Sequence, residues 1–344
     1  MARLAPLVVS PGAFYELIMQ PAFQDVPGEF TGVLPNTLHE WVIMDNVSLA
    51  NGRPLIDILA KQNFLKRKDR SCKVDWSKVA NMTGRRIYVN ELYGAVENCQ
   101  EEFYDGAFKD FRDQNDRFKQ MITGIFQKGI TLDMLVNAYF GDLERADDTT
   151  GTYSWNKYDG IFTRIADAVT EGTIPGGQVL GALPAGPITP SQAYNTLSDA
   201  YDAQSDLMQA LADESKAFYV DKRFAYAYWR YMVASGQTTL DNISLIMNGM
   251  PALKFNNIPI YIESMWNPIM RAISDAEAHA CILTLRGNWI FGTDKTYGGG
   301  PELNQAYRVW WSEDDEVWRQ KAHMVAGTEI LYPQHIVFGM TNIE

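Results

Sequence analysis

The stretch from Tyr307 to Phe338, YRVWWSEDDEVWRQKAHMVAGTEILYPQHIVF, constrains the fold most. Trp310 and Trp311 lead into the acids Glu313, Asp314, Asp315 and Glu316. Val317 to Val325 then alternates Trp318, Gln320, Ala322 and Met324 against Val317, Arg319, Lys321 and His323. Successive side chains of a strand face opposite sides, so a period of two rich in aromatic and β-branched residues predicts a half-buried strand. The two runs flanking the acids therefore predict a hairpin with a charged tip. Gly327 is expected to bend the chain, and Ile330 to Phe338 to form a last strand interrupted at Pro333.

A second strand-like stretch, Ala280 to Phe291 (ACILTLRGNWIF), precedes this ending. In order and character, ILTLRGNWIFGTD followed by a long antiparallel pair and a final LYPQHIVFG resembles the close of tailed-phage major capsid proteins of the Hong Kong 97 fold. The resemblance implies an α+β subunit. Its parts would be an N-terminal arm (1–52), an extended-loop region (53–92), a discontinuous peripheral domain with a long spine helix (93–236 and 307–344) and an axial domain (237–306). It also implies self-assembly through hexamers and pentamers into an icosahedral head, built in the host bacterial cytoplasm and located in the virion. The head would enclose double-stranded DNA without sequence-specific binding. Portal, scaffolding and decoration or head-fibre proteins are the implied partners, and no membrane is involved.

Composition bounds the other classes. Of 344 residues, 46% are hydrophobic and 21% charged, enough apolar content for a sizeable core and against global disorder. No apolar run approaches the roughly 20 residues that span a bilayer, and MARLAPLVVSPG lacks a secretory pattern. Cys72, Cys99 and Cys281 are odd in number and far apart, which predicts reduced thiols. Forty-two acids against thirty bases give a net charge of −12, so generic nucleic-acid affinity, which comes from lysine and arginine on phosphates, is not expected. An acidic lining that keeps a genome off the wall and an ordinary solubility charge both fit this balance.

Along the chain, Pro6, Pro11, Pro21, Pro27 and Pro35 keep regular elements short before Gly52, while Phe14, Tyr15, Phe23, Phe30 and Trp41 need cover. An arm lying on a neighbour and an irregular segment packed on its own domain both satisfy this. Leu55, Ile58 and Leu59 predict a short helix, and GRRIYVNEL (Gly84 to Leu92) a strand. Two extended stretches enclosing polar residues would make a projecting hairpin. Lys66, Lys68 and Lys73 are conceivable donors for the cross-link that some members of the resembled family make, against the commoner solvated charge run. Phe118 to Phe140 keeps helical spacing with a kink or break expected at Gly129, and Tyr153 to Val169 turns at Asp159-Gly160 into a short amphipathic helix. Gly172 to Pro187 predicts a surface connection. Thr189 with Gln192, and Pro190 at the first turn, start a helix expected to run to Ala212, roughly 33 Å. Leu197 and Leu207 are expected on its buried face. A strand at Ala217 to Val220, a helix at Phe224 to Met232 and a strand at Ile258 to Ile262 follow.

No catalytic, cofactor-binding or metal-binding residue is assigned, and the chain is not expected to be an enzyme. His39, His279, His323 and His335 form no HxxxH or HExxH pair. Cys281 sits in an apolar strand, where an inert thiol is expected. Tyr297-Gly298-Gly299-Gly300-Pro301 lacks the GK[ST] of a phosphate loop, and no GxSxG or GxGxxG occurs. Asp147-Asp148 and Asp314-Asp315 are adjacent acids of loops rather than a glycosidase pair. Two alternatives stay open: a shell of the encapsulin nanocompartment type loaded with an enzyme, and an enzyme whose catalytic set is dispersed in sequence.

Overall fold

The computed structural model describes residues 7–9, 40–57, 81–99, 115–146, 153–236, 253–274, 277–294 and 307–341. In chain order its strands and α-helices are β1 (Leu7–Val9), β2 (Val42–Met44), β3 (Arg53–Asp57), β4 (Asn81–Ile87), β5 (Asn90–Cys99), α1 (Asn115–Phe140), α2 (Ile161–Thr170), α3 (Pro190–Asp202) and α4 (Asp206–Ala210). They continue as β6 (Lys216–Asp221), α5 (Lys222–Ala234), β7 (Lys254–Phe255), β8 (Ile258–Glu263), α6 (Trp266–Ser274), β9 (Ala280–Leu285), β10 (Trp289–Thr293), β11 (Tyr307–Ser312), β12 (Val317–Ile330) and β13 (Ile336–Met340).

The terminal hairpin forms as its alternation predicts. β11 and β12 pair antiparallel from Tyr307↔Ala322 to Ser312↔Val317, with the acids at the tip. Trp318, Gln320, Ala322 and Met324 are buried, and Lys321 is exposed on the other face. β12 is the backbone of a six-stranded sheet: β5 pairs along one flank, and β11 and then β10 pair along the other. Beneath it α1 contributes Met121, Ile122 and Phe126 to a core with Tyr307, Val309, Trp318, Ala322 and Met324. Gly94, opposite Ala322, leaves room for the Phe126 ring, which a Cβ there would approach to 3.2 Å.

Gly327 is not a bend. β12 runs straight through it, and the glycine is needed because a Cβ would lie 2.1 Å from the Tyr88 carbonyl oxygen. Gly129 is not a break either. α1 is continuous over 26 residues, about 39 Å. Gly129 is exposed while Phe126, Met134 and Leu135 anchor the helix on both sides, so packing outweighs the roughly 1 kcal/mol that glycine costs in a helix. The helix expected around Leu55 is a strand to Asp57: Leu55 is buried with Ile87, Val89, Ile290 and Val325, and β3 pairs with β4. That pair is the base of the expected hairpin; residues 58–80, with Lys66, Lys68 and Lys73, lie outside the described residues.

The second sheet has five strands, ordered β13-β9-β6-β8-β7. On one face pack α3, α5, Phe218, Leu283 and Val337; on the other, α2, α6 and the end of α1 meet Tyr219, Ile282 and Ile336. This sheet cuts across the expected domain division, since β6 from 93–236 hydrogen-bonds β8 and β9 from 237–306, and β13 from 307–344 completes it. Part of the glycine- and proline-rich segment after Gly172 is not a free surface connection. Val179 and Leu183 bridge to Phe338 and Thr341, which sets that segment alongside β13.

The long rod expected from Pro190 to Ala212 is two helices. Its start holds: the Thr189 side chain accepts from Gln192 N, and the Gln192 side chain accepts from Thr189 N. After Asp202 the chain breaks because Ser205 begins a new helix, accepting from Met208 N at 3.4 Å. The rotation resets, so Leu197 and Met208 are fully buried while Leu207 is half-buried.

Candidate assembly surface and the junctions behind it

The chain passes between the two large sheets from β9 to β10 and again from β12 to β13, and one residue joins these two crossings. β9 of the five-stranded sheet passes through Arg286, Gly287 (φ +72°) and Asn288 into β10 of the six-stranded sheet, and β12 returns to β13 through Leu331 to His335. Asn288 is buried. Its Nδ2 donates to Thr284 Oγ1 (2.7 Å) and the Tyr332 carbonyl (3.1 Å), and its Oδ1 accepts from Tyr332 N (2.6 Å). Nothing in the residue pattern singles out this asparagine, because Tyr332, its partner across the crossing, lies 44 positions away.

His279 and Asp221 form a second buried junction. Asp221, at the start of α5, accepts from the backbone amides of Arg223 and Phe224 (both 3.0 Å), from Asn267 Nδ2 (2.8 Å) and from Ala280 N (3.2 Å). His279 Nδ1 lies 3.1 Å from Asp221 Oδ2, and its Nε2 lies 3.0 Å from the Gly186 carbonyl. Both nitrogens face acceptors, so both must donate and the ring holds its extra proton. Burial pulls its pKa down, but the Asp221 hydrogen bond and charge, the Gly186 carbonyl and Glu277 outweigh this and raise it. Neither side chain is accessible, so the pair ties β6, α5, α6 and β9 together rather than meeting a substrate.

A third buried site lies where the two sheets and α1 meet. Tyr139 packs edge-on against Trp41, Trp266 and Trp289 at 5.4, 5.4 and 5.9 Å, and Tyr219 lies 3.9 Å from Trp289. Glu263 is wholly buried at the end of β8, close to the Tyr139 hydroxyl. Burial raises its pKa well above 4.5, with the Tyr139 hydroxyl opposing in part. It has no access to solvent as a catalytic acid.

The other flagged residues are dispersed. His323 lies on the outer face of β12, 6.5 Å from the Tyr93 ring, its pKa lowered by burial and by Lys321. His335 is buried, 2.9 Å from Ser205 Oγ. Burial pushes the Cys281 thiol up, and Cys99 is half-buried at the end of β5. Asp314 and Asp315 are exposed at the hairpin tip, where Asp315 pairs with Arg319 at 2.7 Å. His39, Cys72, Asp147-Asp148 and Tyr297 to Pro301 lie outside the described residues. Among the described residues, no group of three His, Cys, Asp or Glu is placed to hold a metal, and no helix is long and apolar enough to cross a membrane.

What the molecule does present is surface. β5 exposes Tyr93 (75%) and Val96 (40%), with Tyr88 (54%) just before it. Beside β5 lies an open cleft of about 1090 Å³, lined by Leu92, Phe126, Ile130, Asp133 and Lys157 among others. Large apolar side chains left exposed are what a subunit carries when neighbours are to cover it.

No family model and no curated relative matches the chain. Solved structures do. A chain of the satellite phage P4 procapsid, solved with its size determination (Sid) protein, is 11% identical, with 87% of this chain and 85% of that one covered and a TM-score of 0.55. A Mycobacterium phage Ogopogo structure is 12% identical over 93% and 97%, with a TM-score of 0.52. An encapsulin complex from Synechococcus elongatus is 10% identical over 94% and 93%, at 0.49. The chain thus has the α+β capsid fold that the close of its sequence resembles.

Proposed function

We propose that this chain is the major capsid protein of a tailed bacteriophage, assembling through hexamers and pentamers into the icosahedral head that encloses double-stranded DNA. The observation that carries the reading is the fold likeness to the satellite phage P4 procapsid chain, over 87% of this chain and 85% of that one. Function then resides in surfaces. The base of the β3–β4 hairpin marks the extended loop, α1 with β5, β11 and β12 would form the peripheral domain, and the five-stranded sheet with its helices would form the axial domain. This redraws the division expected from sequence. Portal, scaffolding and decoration proteins are the expected partners, assembly is in the host cytoplasm, and no catalytic residue is assigned. Subunit stability would draw on burial against neighbours as well as on the monomer core.

Negative-stain microscopy of the purified chain tests this. Closed shells are expected, and a small monodisperse particle overturns it. Shells that carry a host enzyme in place of nucleic acid would move the chain to the nanocompartment class.

A further inference from the structure

Charge is segregated between two helices packed side by side on the same sheet. From Thr189 to Ser215, through α3 and α4, the chain has Asp199, Asp202, Asp206, Asp213 and Glu214 and no lysine or arginine. From Lys222 to Gly236, through α5, it has Lys222, Arg223 and Arg230 and no acid. α3 and α5 meet through uncharged side chains: Tyr194 stacks on Tyr231 at 4.3 Å, and Ala193, Leu197 and Ala200 share a core with Ala225 and Tyr228. The charges face outwards. Asp199, Asp202, Asp206, Lys222 and Arg230 are exposed, and among the described residues none of the five has an ion-pair partner within 4.0 Å. Arg223 is already held by Glu277, and Asp213 by Lys216.

The outer face of α5 is also partly apolar, with Tyr226 between Lys222 and Arg230 and Val233 just beyond them, 45% and 46% exposed. A cationic face with an exposed aromatic suits an acidic protein surface, where rim charges steer the encounter and the apolar side chains fill the contact. The chain itself supplies such a surface in α3 and α4. Because the two patches differ, contact between them is head-to-tail, the kind that closes into rings when the rotation permits.

We propose that α5 of one subunit docks on the α3–α4 surface of a second copy, Lys222 and Arg230 facing Asp199, Asp202 and Asp206, with Tyr226 and Val233 buried between them. The proposal rests on the capsid reading and names the surfaces that neighbours within a ring would use.

Charge exchange in the full-length chain tests it. The variant Lys222→Glu with Arg230→Glu, and separately Asp199→Lys with Asp206→Lys, should each lower the yield of closed particles by roughly tenfold or more. The four changes combined should restore it. Thermal melting of unassembled subunits, unchanged in all three, confirms that folding is intact. Wild-type shells with both reversals at wild-type yield would sink the contact while leaving the capsid reading standing; a wild-type chain that forms no shells sinks both. Loss of assembly in the reversals without restoration in the combined variant overturns the pairing. If the α5 reversal instead lowers only the nucleic-acid content of normal shells, the cationic face serves a polyanion and the proposal fails.

Discussion

In the five-stranded sheet, β6 and β9 bury every residue, because helices cover both faces. In the half of the six-stranded sheet built from β5, β11 and the first part of β12, α1 covers one face only. There the burial alternates along β11, the first part of β12 and β5 as far as Ala95. A strand closed on both sides is committed to its own subunit. One covered on a single side keeps a face for others, and the exposed Tyr93, opposite His323, lies on that open face. The difference teaches that alternation marks where a subunit of this fold has surface to offer. A continuous apolar run marks where it has none.

The sharpest way to break the comparison is a pair of neighbours on β12. Ala322→Glu places a carboxylate in the apolar layer over Met121 and Phe126 and should abolish soluble folding; Lys321→Glu, one residue away on the open face, should leave the melting temperature of the unassembled subunit within a degree or two. Soluble yield and thermal melting read both, and equal tolerance would remove the one-sided description. On β9 the adjacent residues Ile282 and Leu283 face opposite cores, so Ile282→Ala and Leu283→Ala should each cost about 2–5 kcal/mol in urea unfolding. A near-neutral result for either would show that one face of this sheet is not closed.

At the crossing between the sheets, Asn288→Ala takes from the buried Tyr332 amide its Asn288 acceptor, while the Tyr332 carbonyl keeps His335 N and the Thr284 hydroxyl keeps the His335 carbonyl. The expected loss is about 1–3 kcal/mol, and an unchanged unfolding midpoint would deny Asn288 its joining role.

The smallest effect is on pH dependence. Glu263 and His279 both have folded pKa values above their ordinary 4.5 and 6.5, so the native state holds protons that the unfolded chain releases. Each contributes stability that is fully present below its ordinary value and lost as pH rises through the raised one. The melting temperature of the unassembled subunit should therefore fall as pH rises from 4.5, and Glu263→Gln should flatten the earlier part of that fall. An identical slope in the variant would mean that Glu263 is already ionised in the fold.

Much of the one-sided sheet was legible because a period of two writes the buried face into the sequence. Trp318, Ala322 and Met324 could be placed inward without a partner in view. The both-sides sheet was legible only as apolar runs such as Ala280 to Leu285, which do not say what covers them. The helix from Thr189 was readable at its start, where the cap is local. Its end was not, because Ser205, which starts the next helix, also meets His335, 130 positions away. The buried junction of Asp221 and His279 left no mark either: 58 residues separate the pair, and each looks like an ordinary polar residue at the end of a strand.

The sequence by itself determined the terminal hairpin with its acidic tip, the capped start of α3, the faces of β12 and the segregation of charge between α3–α4 and α5. All of these are set by neighbours within a few positions, where backbone geometry fixes which side chains share a side. Only the tertiary structure decided that β9 and β10 belong to different sheets, that Gly327 is a point of close approach to Tyr88 rather than a bend, and that Glu263 is sealed among tryptophans and tyrosines. Those outcomes depend on which distant segments come together, and a local pattern encodes what a strand buries without encoding against what.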